Sequence, residues 1–321
     1  MNSLLTRLLP ARCSTLLGAA AQRGCVRYST RPADPELERI ETVPLQATLL
    51  EGDPARTGAQ DAAPIVILHG LFGSRRNNRR LAQLLNSRLG RDVYTLDLRN
   101  HGTSPRTPRH DYPAMVADVA RWVRENISRT APVLVGHSMG AKVAMALALR
   151  QPHMCSVMVA IENAPVATVP EPEFPRYIGA LERLASHAEL SAAQAQQALS
   201  GVEPDPDVRL FLLSLMEHYR DPASGKRRYR PRIPLQTLKD AVVRGAVAGW
   251  ELSPDTHRYT GPALFIRGTQ SNYIADDYLP TIGSYFPSFE LRDIEGGHWI
   301  NSQQPQLCAD HIVDFLDRRD L

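Results

Sequence analysis

"VLVGHSMGAKVAMALALR", residues 133–150, opens with three β-prone apolar residues, passes through Gly136-His137-Ser138-Met139-Gly140 and continues as an Ala-rich helical run. A serine between two glycines, where a strand gives way to a helix, has two readings. One is packing, because small residues let a helix lie close on a sheet. The other is chemistry: in a strand–turn–helix context Gly-x-Ser-x-Gly is the pattern of a nucleophile elbow. Its turn is so sharp that the serine backbone is strained, and the flanking glycines avoid side-chain clashes. The Ser138 hydroxyl then stands clear of the sheet, above the positive end of the following helix. The pentapeptide by itself is a weak signal; between "PVLV" and "AKVAMALALR" it is a strong one.

Working outward, the chain alternates. "LQATLLEG", "APIVILHG", "DVYTLDLRNHG", "APVLVGHSMG" and "SVMVAIENAPV" read as strands. "NRRLAQLLNSRLG", "YPAMVADVARWVRENI" and "AKVAMALALRQP" carry helical apolar spacing between them. Short, near-continuous apolar strands alternating with helices predict a mostly parallel central sheet covered by helices on both faces. The rhythm changes over about 167–253. "YIGALERLASHAELSAAQAQQAL", "PDVRLFLLSLMEHYR" and "PLQTLKDAVVRGAVA" read as helical, with one short strand candidate at "RRYRP". Alternation resumes with "PALFIRG" and "FELRDIEGGHW". A helical block inserted there would sit over the C-terminal ends of the strands as a lid, where open α/β sheets bind ligands. A separate helical domain is the competing reading.

The 321 residues, 43% hydrophobic and 22% charged, are those of a globular protein with a substantial core. Cys13, Cys25, Cys155 and Cys308 have neither CxxC nor Cys/His spacing, which argues against a disulfide framework or a structural zinc site. No stretch approaches the roughly 18 consecutive apolar residues of a membrane span. The net charge of +3 is uneven. Arg7, Arg12, Arg23, Arg27 and Arg31 precede the first acid, Asp34, and the remainder carries 32 basic against 34 acidic residues. No nucleic-acid partner is implied. An acid-free, Arg- and Ser-bearing amphipathic segment over 1–33 reads as a mitochondrial transit peptide rather than a secretory signal, leaving 34–321 as the mature domain.

A serine hydroxyl needs a base. Among the ten histidines, His298 in "IEGGHWIN" follows the final strand, where loop glycines let an imidazole reach back toward Ser138. His69 and His101 read as organisers of their loops, and His137 points away from the nucleophile by strand alternation. His110, His153, His187, His218, His257 and His311 read as surface residues. Two backbone N–H donors must meet the oxyanion: Met139, after the nucleophile, and Leu71, in the loop after "IVILHG". For the acid, Glu162 follows five apolar residues at the end of a buried strand, where a carboxylate needs a reason. Asp276, at an apparent helix start, is the runner-up. Ser271 occupies the position where an acid after the lid would be expected.

"PIVILHGLFGSRRN", "LDLRNHGTSPR", "YPAM", "GHSMGAKVAM", "VAIENAPV", "RGTQSNY" and "GGHW" together resemble one α/β-hydrolase family. It comprises small bacterial esterases, animal mitochondrial abhydrolases and yeast ethanol (alcohol) acetyltransferases, and the resemblance covers nearly the whole chain after residue 45. It implies an α/β-hydrolase fold and the chain order Ser…acid…His. It aligns the triad acid with Glu162, where the family usually has Asp, and places Ser271 in an "NS-x-Y" loop near the catalytic histidine. With its leader and "GHSMGAKVAM" the chain looks most like the yeast acetyltransferases. That implies acetyl transfer from acetyl-CoA, as substrate and with no resident cofactor or metal, to ethanol, with ester and thioester hydrolysis as side reactions. From the residues themselves the acceptor, alcohol or water, stays open. A second class of reading is a catalytically weak mitochondrial binding protein. The lid run with Lys226, Arg227 and Arg228 could meet CoA phosphates, but reads first as a solvated basic turn.

Overall fold

Four strands, β2 (Ile65–Leu68), β3 (Val93–Asp97), β4 (Val133–His137) and β5 (Val157–Ile161), are buried along their whole length. β1 (Gln46–Leu50) precedes them; β8 (Ala263–Gly268) and β9 (Phe289–Ile294) follow the inserted segment. The computed structural model describes residues 34–53, 55, 62–128, 130–168, 173–186 and 190–321. The predicted leader, 1–33, and His187 lie outside the described residues.

The sheet runs β1-β3-β2-β4-β5-β8-β9. β1 is antiparallel to β3; the other neighbours are parallel. Alternate residues of each strand enter opposite cores, as the strand period of two requires. Val66, Leu68, Leu134, Met158 and Phe265 face the helices Tyr112–Asn126 and Met139–Arg150. Ile65, Ile67, Val135, Val159 and Ile266 face Arg79–Leu89 and Pro305–Asp317. The expected doubly covered sheet is thus what forms. After β2 the chain turns toward β3, then crosses back to β4. The loops following β2 and β4 therefore diverge, opening a crevice at their C-terminal ends.

Between β5 and β8 the chain forms the helices Glu173–Ser186, Ala192–Ser200, Pro206–Ser214 and Leu235–Val243. One expectation fails here. "PDVRLFLLSLMEHYR" is not helical throughout: the helix stops at Ser214, and β6 (Met216–Arg220) pairs antiparallel with β7 (Arg227–Pro231). The apolar run suited a longer helix. The ladder to "RRYRP", whose partners lie seven to fifteen residues away, and the Glu217–Arg230 ion pair at 2.6 Å favour the hairpin instead. Lys226 and Arg227 are exposed at the hairpin turn, and Arg228 pairs with Asp221 at 3.2 Å. No helix among the described residues is long and apolar enough to cross a membrane.

Candidate active site

β4 delivers Ser138 at its C-terminal end with φ 54° and ψ −118°, conformational territory that non-glycine residues seldom occupy. The flanking glycines are dictated by contact. A Cβ on Gly136 would lie 2.2 Å from the Gly140 carbonyl oxygen, and one on Gly140 2.5 Å from that of Leu68. The turn is pinned by the Ser138 amide, which donates to the Ile161 carbonyl at 2.9 Å. Packing and chemistry thus use the same glycines: they let the helix lie on β2 and they permit the strained serine.

His298 lies in the loop after β9. Its Nε2 is 3.0 Å from Ser138 Oγ and its Nδ1 is 3.3 Å from Glu162 Oε2. Glu162 directly follows β5 with φ 59°, and its side chain is fully buried. Its carboxylate accepts the Gly268 amide on Oε1 at 2.5 Å and leaves Oε2 for His298. Asp276 is elsewhere: 81% exposed, accepting from Arg267 at 2.5 Å. Ser271 Oγ accepts the amide of Tyr273 at 3.3 Å, a turn that accompanies stacking of Tyr273 on the His298 ring at 3.9 Å between centroids.

Leu71 and Met139 flank Ser138 along one small cavity of about 40 Å³, whose other walls include Tyr112, Phe174, Val242 and Val247. A larger cavity of about 410 Å³ also touches Leu71, with Gly70, His137, Phe211, Trp299 and Asn301 among its walls.

The histidines around Ser138 divide by hydrogen bonding. His69 Nε2 accepts the Leu98 amide at 3.0 Å, so Nδ1 carries the proton and donates to the Gly70 carbonyl at 2.8 Å. His101 Nε2 accepts the Phe72 amide at 3.1 Å, and its Nδ1 donates to the Arg99 carbonyl at 2.9 Å. Both rings are neutral, their pKa values pushed down chiefly by burial. They hold the Gly70–Phe72 loop, including Phe72 at φ 64°, in place. His110 corrects an expectation: it is buried, with its ring 5.4 Å from His101, and burial pushes its pKa down to about 4. His153, His257 and His311 are half-buried and His218 is exposed.

Three contributors escaped the sequence reading. His137 does turn from the nucleophile, but Nε2 donates to the His298 carbonyl at 2.8 Å and so braces that loop; burial holds its pKa near about 3. Tyr273 is the second, signalled only by the "SNY" motif. The third is Lys142, one turn beyond Ser138. It is fully buried, with Nζ donating to the carbonyls of Ala248 (2.8 Å) and Gly249 (3.2 Å), and burial lowers its pKa to about 8. No cluster of metal-ligating side chains occurs among the described residues.

Residues 63–305 match the family described as the alpha/beta hydrolase fold. A "Probable alcohol acetyltransferase" from Saccharomyces cerevisiae is 45% identical over 291 residues, covering 87% of this chain and 85% of that protein. The "sn-1-specific diacylglycerol lipase ABHD11" of Xenopus tropicalis is 34% identical over 265 residues, 81% of this chain and 80% of the relative. Among solved structures, a "Marine microorganism esterase" superposes with TM-score 0.72 at 28% identity, covering 86% of this chain and 99% of that one. A strained serine after β4, in a fold and sequence shared with these enzymes, makes this chain a member of the α/β-hydrolase family, similar to both acetyltransferases and ester hydrolases.

Proposed function

We propose that the chain is an acyltransferase that forms acetate esters from acetyl-CoA and an alcohol through an acyl-Ser138 intermediate. The observation that carries the chemistry is His298 bridging Ser138 Oγ and the buried Glu162 carboxylate. With Glu162 on Nδ1–H, Nε2 is free to take the Ser138 proton as Oγ attacks the thioester carbonyl. The amides of Leu71 and Met139, with no intramolecular acceptor among the described residues, receive the oxyanion. Collapse expels the thiolate, which takes the proton from His298. An alcohol then attacks the acyl-enzyme, losing its proton to the same nitrogen; the bond from the acyl carbon to Ser138 Oγ breaks, Oγ takes that proton back from His298, and the ester leaves. The small cavity beside Ser138 favours a short acyl group. The 45% identical acetyltransferase relative supports the choice of acceptor.

Water attacking the same intermediate would make the enzyme an esterase or thioesterase, the reading favoured by the diacylglycerol lipase and esterase relatives. A binding protein without turnover has less support, since it has no use for a hydrogen-bonded Ser–His–Glu relay. Residues 1–33 would direct the enzyme to mitochondria.

The test is incubation of mature protein with acetyl-CoA, with and without ethanol, quantifying ethyl acetate, acetate and free CoA. Ethyl acetate that depends on ethanol and disappears in Ser138→Ala is the expected result. Acetate with no ethyl acetate at saturating ethanol would leave a hydrolase; no CoA release at all would refute the catalytic reading.

A further inference from the structure

Beyond the 410 Å³ cavity lies another of about 290 Å³, with Ser74, Arg75, Arg76, Asp97, Thr103 and Arg232 in its walls. The two share Gly73 and Asn77, so the loop after β2 forms one continuous wall from Leu71, beside the nucleophile, to the arginines. The charges there do not balance. Of the described residues lining the outer cavity, three are arginines and one is a carboxylate. That carboxylate, Asp97, is already held by Arg75 and by the Thr103 amide at 2.9 Å. Arg76 has no acid within ion-pairing reach among the described residues. Arg232 meets Glu217 only at 4.0 Å, while Glu217 is taken by Arg230 at 2.6 Å. Arg106 donates to the Arg232 carbonyl, bringing a fourth guanidinium to the same rim.

The helix that begins here, Arg79–Leu89, has Arg79 and Arg80 in its first turn, no acid there and no side-chain cap. That is the wrong sign for its dipole, and an anion at the rim would correct it. Along the inner cavity, Asn301 is buried and its side-chain amide donates to Asn78 Oδ1 at 3.0 Å, which fixes that part of the wall.

The spacing suits an extended ligand. A Cβ on Gly70 would lie 3.1 Å from Ser138 Cβ, so this end of the loop abuts the nucleophile. Six residues from Gly70 to Arg76 span at most about 20 Å when extended. Turns closed by Gly73 N–H to Gly70 O (2.9 Å) and Asn77 N–H to Ser74 O (3.0 Å) shorten that distance.

We propose that the cavity walled by Arg75, Arg76 and Arg232 binds the phosphate groups of the acyl donor's leaving group, and that the inner cavity holds the amide-bearing arm joining them to the thioester. This rests on the acyl-transfer reading and makes the donor a phosphorylated thioester of CoA type rather than a neutral ester. Guanidinium forks are suited to phosphate oxygens, and each such charge-assisted contact is worth roughly tenfold in affinity.

The test measures binding without turnover. Calorimetry on Ser138→Ala protein compares CoA with pantetheine, which has the arm and no phosphate. CoA is expected to bind at least about tenfold tighter, an advantage that shrinks with added salt. Arg76→Glu/Arg232→Glu should erase it, and the exposed-site change Arg76→Ala should weaken CoA severalfold without risk to the fold. Arg124→Glu, about 18 Å along its helix from Tyr112, is the control for charge reversal at one site away from the rim and should change CoA affinity less than twofold. Equal binding of CoA and pantetheine, or equal losses in the rim and control variants, overturns the proposal. So does binding of dihexanoyl phosphatidate at these arginines in place of CoA. Because no product is measured, failure of ester synthesis and failure of this subsite are separate outcomes.

Discussion

Glu162→Gln tests the relay at its least usual member. The carboxylate now serves two donors, Gly268 N–H at 2.5 Å and His298 Nδ1 at 3.3 Å. Glutamine has one acceptor oxygen. If that oxygen stays on Gly268 N–H, the amide NH₂ faces Nδ1, which must then give up its proton. The proton moves to Nε2, and Nε2 can no longer accept from Ser138 Oγ. If the amide flips, its NH₂ opposes the Gly268 N–H in a site with no solvent access, at a cost of about 1–3 kcal/mol for each unsatisfied donor. Either arrangement also removes the charge that stabilises the imidazolium. The corresponding acid-to-amide change in a well-studied serine protease lowers kcat about 10⁴-fold through the wrong tautomer. A loss of about 10² to 10⁴ is expected here, or about 3 to 5.5 kcal/mol in the barrier.

The assay is kcat for p-nitrophenyl acetate hydrolysis, with circular dichroism to establish that each variant is folded. Glu162→Asp keeps the charge and hence the Nδ1–H tautomer, and aspartate tolerates the left-handed backbone at this position. It should retain at least about a tenth of the rate, held back by a side chain one methylene short of a 3.3 Å contact. Asp276→Asn removes an exposed partner of Arg267 and should stay within about twofold. Glu162→Gln within about threefold of wild type, or a crippled Asp276→Asn, would refute the assignment.

Acid should unfold the protein early. His110 and His137 have pKa values near about 4 and about 3, against 6.5 when unfolded. Below pH 6.5 the unfolded chain takes up protons that the fold refuses. As pH falls from about 6 toward 4.5, stability therefore drops by roughly 2–3 kcal/mol per pH unit from these two alone, measurable by denaturant titration. Lys142 acts at the other end: between pH 8 and 10.5 the unfolded chain keeps a proton that the folded one loses. Wild type should gain roughly 1 kcal/mol per pH unit relative to Lys142→Met between pH 8.5 and 9.5, and a constant difference would contradict this. For the acyl cavity, kcat/KM should fall at least about 100-fold from p-nitrophenyl acetate to octanoate, and Val242→Ala with Val247→Ala should narrow that ratio; equal rates for both esters in wild type would contradict a small pocket. A reporter carrying residues 1–33 should enter mitochondria and stay cytosolic when Arg7, Arg12 and Arg23 become Glu; entry of both forms would remove the basis for the leader.

The sheet was legible because its signal is local. β2, β4 and β5 are short apolar runs whose ends are marked by Gly or by a polar residue, and their burial on both faces shows in composition. Ser138 and His298 were legible for a related reason, since a serine on a strained turn and an imidazole reaching back to it need glycines beside them. Glu162 could be read because a carboxylate closing a run of buried residues calls for a partner. What was hidden depends on contacts between distant segments. β6 has helical spacing, and only its pairing with β7 makes it a strand. His110 sits in a polar stretch, and in the fold its ring is buried beside His101, which in turn lies beside His69. Lys142 looks like a solvent-facing lysine in an Ala-rich helix; its partners are carbonyls more than 100 residues away.

Those carbonyls bear on which walls of the site can change independently of Ser138, Glu162 and His298. Ser138, Glu162 and His298 hang from the ends of β4, β5 and β9, held by the sheet. Val242, Val247 and Ala248 line the small cavity beside Ser138, and their segment is fastened to the helix Met139–Arg150 through Lys142 and to Tyr112, whose hydroxyl donates to the Val247 carbonyl at 2.5 Å. A change in the acyl wall is thereby felt at the elbow. The leaving-group side is different. There the insert contributes Asp207, Val208 and Phe211 from the helix Pro206–Ser214, and Arg232 from the end of the hairpin. Phe211 is coupled to His298 through Trp299, whose ring lies 5.1 Å from Phe211 and 5.5 Å from His298, whereas Asp207, Val208 and Arg232 make none of the hydrogen bonds of Ser138, His298, Glu162 or Lys142. On the proposed reaction, substitutions in this chain are therefore least costly on the donor side of Leu71, and most constrained where the acyl group would sit.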